Sequence, residues 1–140
     1  MDGDIDKGKK SGLLNWLVNR KVKSTRARSV QPRFRILSGR DIALGPGKAE
    51  LLALIGQTGS INQAAKRMKM SYMRAWSLVQ TMNRCFKGPL VLAAHGGEGG
   101  GGAQLTESGR RVLALYQKME SASLKAIHAD WRALQKFLRD

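Results

Sequence analysis

Ser71, Tyr72, Met73, Arg74 and Ser77 fall within the first two turns of one helical pattern, and their side chains suit the floor of a DNA major groove. An arginine such as Arg74 can donate two hydrogen bonds to the O6/N7 edge of guanine, or it can hold a phosphate. Ser71 and Ser77 are short enough to let a backbone approach the duplex, and each hydroxyl can serve a phosphate oxygen. Tyr72 and Met73 offer apolar contact, for instance to a thymine methyl. Gln80 and Arg84 follow on the same outer side, placed for the flanking sugar-phosphate backbone. Upstream, Ser60 caps a helix whose first amides can receive a phosphate. Between Glu50 and Glu98, 47 residues pass without an Asp or Glu, and six of them are Lys or Arg. Such a window favours phosphates. Plainer roles stay open: Ser71 as a cap alone, Arg74 as a solvated surface cation, Tyr72 as half core.

Other chemistries find little support. The acids bounding that window are Glu50 and Glu98, and His95 and His128 stand far apart without a neighbouring Cys or carboxylate. No catalytic residue, metal ligand or cofactor is therefore assigned, and the chain is not expected to be an enzyme. Gly99–Gly102 lacks the lysine of a phosphate-binding loop. The single cysteine, Cys85, excludes an internal disulfide and points to the cytoplasm. The apolar run Leu13–Val18 is interrupted by Asn15, is too short to span a membrane, and follows Asp2, Asp4 and Asp6, so it also fails as a signal peptide.

The whole chain agrees with a polyanionic partner. Its 140 residues carry 25 Lys+Arg against 10 Asp+Glu, a formal net charge of +15. Charge of this size raises association with nucleic acid or anionic lipid. The length suits one modest domain.

The elements that must position the candidate residues follow from pattern and punctuation. Residues 1–30 hold eight Lys/Arg and three acids and read as a mobile basic arm, with a short helix near Leu13–Asn19. Arg33–Leu37 alternates charged and apolar residues, the period of a half-buried strand. A helix is predicted from Pro46 to Gln57 with Leu51, Leu52, Leu54 and Ile55 toward a core, stopped at Thr58-Gly59. Ser60 with Gln63 forms a capping-box pattern, and Ile61, Ala64, Ala65 and Met68 form the inner stripe of the next helix. Lys69-Met70 is the turn, and Ser71 caps a helix to Phe86. Tyr72, Trp76, Val79, Met82 or Asn83, and Phe86 are expected inside, which leaves Met73, Arg74, Ser77, Gln80, Thr81 and Arg84 outside. Leu90–Leu92 and Ala103–Leu105 flank a glycine-rich tip and read as a hairpin, in preference to a plain linker. From Thr106 a last helix is expected to run to the end. Its Leu124, Ile127, Trp131, Leu134 and Leu138 have the 3-4-3-4 spacing of a helix–helix seam. The seam is read as a homodimer interface, with packing against the chain's own N-terminal segment as the alternative.

Residues 33–118 resemble the N-terminal winged helix-turn-helix of the molybdate-responsive ModE regulators and, more broadly, of LysR-type regulators. The matching stretches are Gly59–Ala65, Met70-Ser71-Tyr72 with Ala75-Trp76, Met82-Asn83, and the glycine segment from Gly96 through Ala103 to Leu105-Thr106. The resemblance implies a recognition helix over 71–86, DNA-facing Ser71, Tyr72, Arg74 and Ser77, and a homodimeric transcription factor. The chain lacks the separate C-terminal oxyanion-binding domains of full-length ModE proteins, so molybdate is not expected as a ligand. Glu98 at the hairpin tip departs from what a phosphate would favour. The expected fold is mainly α with a small β-hairpin wing: an arm over 1–30, a winged helix-turn-helix over 31–106, and a dimerisation helix over 107–140. The expected function is sequence-specific binding of double-stranded DNA in transcription regulation. A non-specific, nucleoid-type architectural binder is the alternative, and a protein–protein adaptor is a third reading.

Overall fold

The structure, a computed structural model, describes residues 16–17, 28–94 and 102–140. Most of the expected basic arm, and the glycine tip with Glu98, lie outside the described residues. The elements run β1 (Ile36–Ser38), β2 (Asp41–Leu44), α1 (Pro46–Thr58), α2 (Ile61–Arg67), α3 (Tyr72–Cys85), β3 (Val91–Ala93), β4 (Ala103–Leu105), α4 (Glu107–Ala126) and α5 (His128–Gln135).

Helix α1 is the centre of the molecule. Pro46 opens it without sacrificing a needed donor. Gly59 closes it in a left-handed conformation (φ 70°), its N–H donating to the Ile55 carbonyl at 2.8 Å. From Leu51 to Ile55 every residue is at most 1% exposed. A helix apolar on all sides needs cover on all sides, and α2, α3, α4, β2 and β4 supply it. Gly45 gives α1 no side-chain cap. That omission forgoes only a few tenths of a kcal/mol, against about 1.5–3 kcal/mol for each buried leucine or isoleucine.

Two small antiparallel sheets brace this helix. In the first, Gly39 (φ 60°) turns the chain so that Leu37 pairs with Ile42 and Ser38 with Asp41, with a bulge between Ile36 and Leu37. In the second, Val91 pairs with Leu105 and Ala93 with Ala103. The Ala103 N–H also donates to the Gly59 carbonyl at 2.8 Å, fixing this hairpin to the α1–α2 corner. Thr106 caps α4 by accepting from the Gly109 N–H at 2.9 Å, while its own hydroxyl donates to the Pro89 carbonyl at 2.7 Å.

The architecture corrects the expected fold. The expected strand at 33–37 has a partner, Asp41–Leu44, so the described residues form two two-stranded sheets and not a lone hairpin wing. The long C-terminal helix is not continuous: it breaks at Ile127 (φ −94°, ψ 2°) into a 20-residue and an eight-residue helix. Only the first is held by the domain, through Gly109, Leu113, Tyr116 and Glu120, whereas α5 buries no residue. Beyond Glu120 no residue of α4 or α5 is fully buried, and helices of this length depend on packing for support. The arm is also less separate than expected. Leu17 is 3% exposed within the core, and the Trp16 indole N–H donates to Glu120 Oε1 at 3.0 Å.

Candidate nucleic-acid interface

The candidate site begins with how α2 is turned into α3. Ser60 Oγ accepts from the Gln63 N–H at 3.1 Å, and Ser71 Oγ accepts from the Arg74 N–H at 3.1 Å. Both serines are thus N-caps, as their positions suggest. Between them Lys69 takes a left-handed backbone (φ 57°). Its N–H donates to the Lys66 carbonyl at 3.1 Å, and the Met70 N–H donates to the Ala65 carbonyl at 3.0 Å. These two bonds form a Schellman motif with lysine where glycine is usual. Met70 then packs against the core. Ala64, Ala65 and Ala75 are 0–1% exposed where the two helices meet, so the backbones approach closely.

The register of α3 differs from the sequence expectation. Its buried residues are Ala75, Val79 and Met82, and Tyr72 is 46% exposed. At about 100° per residue, the side opposite this stripe is the row Met73, Ser77, Gln80 and Arg84, all exposed. Tyr72 and Trp76 lie on one flank, and Arg74, also exposed, lies on the other. Trp76, expected wholly in the core, is only partly buried and stacks on Tyr72, with ring centroids 6.4 Å apart and planes at 19°.

The row is anchored at its far end. Asn83 Oδ1 accepts from the Leu90 N–H at 2.8 Å and the Val91 N–H at 3.1 Å, and Asn83 Nδ2 donates to the Val91 carbonyl at 3.0 Å. One side chain thereby ties α3 to β3. Arg84 Nη2 lies 3.2 Å from Asp41 Oδ2. An exposed pair of this kind is worth about 0–1 kcal/mol, so Arg84 is partly engaged by β2 while its side chain remains 63% exposed.

The structure therefore places Tyr72, Met73, Arg74, Ser77, Gln80 and Arg84 on the exposed side and flanks of α3, with Ser71 as its cap. Ser60 lies apart from this helix, as the N-cap of the seven-residue α2, where its oxygen serves one of the first amides. Sequence reasoning left the turn lysine Lys69 and the exposed Lys66 and Arg67 out of the candidate set. A cation in the turn, two residues before the capping Ser71, was the signal for the first of them. The second candidate group, Leu124, Ile127, Trp131, Leu134 and Leu138, continues past the domain along the line of buried Leu113, Tyr116 and Glu120. Its leucines and isoleucine are 37–53% exposed. Among the described residues, no three His, Cys, Asp or Glu side chains come together as a metal site. A shallow depression between Gly59, Leu92, Ala94 and Gln104 carries no charged side chain. No helix of the described residues is long and apolar enough to cross a membrane.

No protein-family model matches the chain. Similarity to curated proteins is substantial. The chain is 42% identical over 91 residues to the molybdenum-pterin-binding protein MopB of Rhodobacter capsulatus, covering 65% of this chain and 34% of MopB. It is 46% identical over 78 residues to the molybdenum transport protein ModE of Azotobacter vinelandii, covering 56% of this chain and 29% of the relative. It is 42% identical over 81 residues to the DNA-binding transcriptional dual regulator ModE of Escherichia coli K12, covering 58% and 31%. The chain thus spans about a third of the length of these relatives. Two expectations are corrected by these similarities. The resemblance does not extend to LysR-type regulators among these relatives, whose names speak of molybdenum and regulation and not of a winged helix-turn-helix, so both labels are withdrawn. The expectation that molybdate has no place with this chain is withdrawn too, because a relative named for molybdenum-pterin binding matches 65% of it.

Proposed function

We propose that this chain regulates transcription by binding double-stranded DNA sequence-specifically as a homodimer, with α3 in the major groove. The observation that carries the reading is the exposed row Met73, Ser77, Gln80 and Arg84, flanked by Arg74 and Tyr72, on a helix whose other side is locked into the core. The row lies within the 47 acid-free residues, and the carboxylate that reaches it, Asp41, is paired with Arg84 at its far end. The Escherichia coli relative, a DNA-binding transcriptional dual regulator, supports the same reading. Arg74 is assigned to a base edge or adjacent phosphate, Ser71 and Ser77 to close backbone approach, and Gln80 and Arg84 to the flanking strand. Arg84 must exchange Asp41 for phosphate to do so.

Selection of binding sites from random duplex with the purified chain tests this. A specific reader enriches one sequence and prefers it about 10³-fold or more over random DNA. Arg74→Ala is expected to lower that preference, whereas Lys66→Ala weakens all sequences alike. A nucleoid-type architectural binder would instead lose affinity steeply with salt on every duplex without enriching any. Equal losses on selected and random DNA for both variants would overturn specific reading. The name of MopB favours a second ligand, a molybdenum-containing anion. Equilibrium dialysis of the chain against molybdate, with sulfate as competitor, tests that reading: saturable retention that sulfate does not abolish supports it, and no retention rejects it.

A further inference from the structure

Tyr72 and Met73 are two large, mainly apolar side chains left exposed in the first turn of a helix, 46% and 70% respectively. Neither exposure is required by the fold: the core stripe of α3 is complete with Ala75, Val79 and Met82. The Tyr72 ring is also held in place. Trp76, four residues on and therefore on the same flank, stacks on it at 6.4 Å and 19°, while Trp76 itself packs against the buried cluster. A tyrosine braced from behind by a half-buried indole presents a fixed edge outward at low cost in side-chain freedom. The start of the helix also carries Ser71 and Ser77, too short to screen that edge, with the exposed cations Lys69 in the preceding turn and Arg74 on the other flank. The apolar edge therefore belongs to a chain segment that carries cations and no acid. An apolar protein partner would not call for those cations, whereas DNA supplies both a phosphate rim and an apolar feature within its major groove.

That feature is the C5-methyl of thymine, the one apolar group the major-groove base edges display. We infer that Tyr72 and Met73 form a thymine-methyl-reading edge of α3, and that Trp76 is a positioning residue that holds Tyr72 for it. The inference rests on the proposed placing of α3 in the major groove. It adds which bases the apolar half of the helix selects and gives a role to a tryptophan that touches no base.

The test replaces each thymine of the selected duplex, one at a time, by deoxyuridine, which lacks only the 5-methyl. Affinity is measured by fluorescence anisotropy at fixed salt. At least one position in each half-site is expected to lose about fourfold, the worth of one buried methyl. The deoxyuridine penalty at that position is expected to vanish in Tyr72→Ala or in Met73→Ala, the latter altering a residue outside the core. Trp76→Ala is expected to reduce the penalty, and Trp76→Phe to restore part of it by keeping a stacked ring. If a site is selected but no deoxyuridine costs more than twofold, or if the penalties persist unchanged in both alanine variants, the inference is overturned while DNA reading stands. If no duplex is enriched at all, the underlying reading fails and the inference falls with it.

Discussion

Among single residues, Gly109 and Asn83 hold the second hairpin in place, and neither belongs to the core by composition. A Cβ built on Gly109 would meet the Leu90 carbonyl oxygen at 2.1 Å. That oxygen cannot simply retreat, because it accepts from the Thr106 N–H at 2.9 Å. In an ordinary helix, alanine in place of glycine gains up to about 1 kcal/mol. Here overpacking against backbone, worth about 1–3 kcal/mol or more, is expected to win. Gly109→Ala should therefore lower the urea midpoint, and an unchanged or raised midpoint would show that α4 and β3 approach less closely than described. Asn83 acts differently, by exchanging three hydrogen bonds with Leu90 and Val91. Its amide matches two donors and one acceptor at a strand end, which an apolar residue of similar size would leave unpaired.

At the scale of elements, the turn between α2 and α3 stores a small conflict. Lys69 occupies a left-handed conformation that costs an L-residue about 1–2 kcal/mol relative to what glycine tolerates. Lys69→Gly is expected to stabilise the fold by about 0.5–1 kcal/mol, since glycine's added freedom in the unfolded chain offsets part of the gain. The same change removes a cation beside the first turn of α3. DNA affinity should fall on all sequences alike, with the slope of log affinity against log salt reduced by about one. A lysine kept where glycine would be more stable is what a phosphate contact would explain. A stabilised variant with undiminished DNA affinity would remove that explanation. The interruption at Ile127 belongs to this scale as well. Leu113, Tyr116 and Glu120 hold α4 against the domain, and past them no residue of the helix is fully buried.

For the molecule as a whole, the central question is what meets Leu124, Ile127, Trp131, Leu134 and Leu138. The described N-terminal residues cover only part of the helices. Trp16 bonds Glu120, and Arg28 bonds the Gln135 carbonyl at 3.3 Å and the Asp140 carboxylate at 2.9 Å. Arg28 therefore closes the C-terminal end of α5, where a cation is favoured. The apolar row keeps Leu134 at 53% and Leu138 at 44% exposure. The homodimer of the proposed function is expected to bury that row. Light scattering after gel filtration should give twice the 15.4 kDa chain mass for the wild type, and the single chain mass for Leu134→Glu, with circular dichroism unchanged. A wild type that stays monomeric at tens of micromolar would set the dimer aside, without touching the assignment of α3.

Much of this molecule was readable from local sequence because local physics governs it. Ser60, Ser71 and Thr106 cap helices through hydrogen bonds reaching only three residues, so a capping residue before an apolar pattern announces each start. Gly59 marks the end of α1 by the same short-range logic, and the acid-free window is a property of composition alone. The tertiary structure decided whatever depends on which neighbour arrives. Whether α3 turns Tyr72 or Ala75 inward is a rotation of one stripe by less than a turn. Periodicity admitted either, and the close crossing over Ala64 and Ala65 selected the smaller side chain. The pairing of Asp41–Leu44 with β1, the bridging amide of Asn83 and the need for glycine at 109 depend on which backbone groups the fold brings opposite one another, and no apolar spacing encodes that. The break at Ile127 follows from where the domain stops covering the helix. Charge, caps and turns placed a basic helix pair in the chain, and packing alone chose which of its side chains face outward.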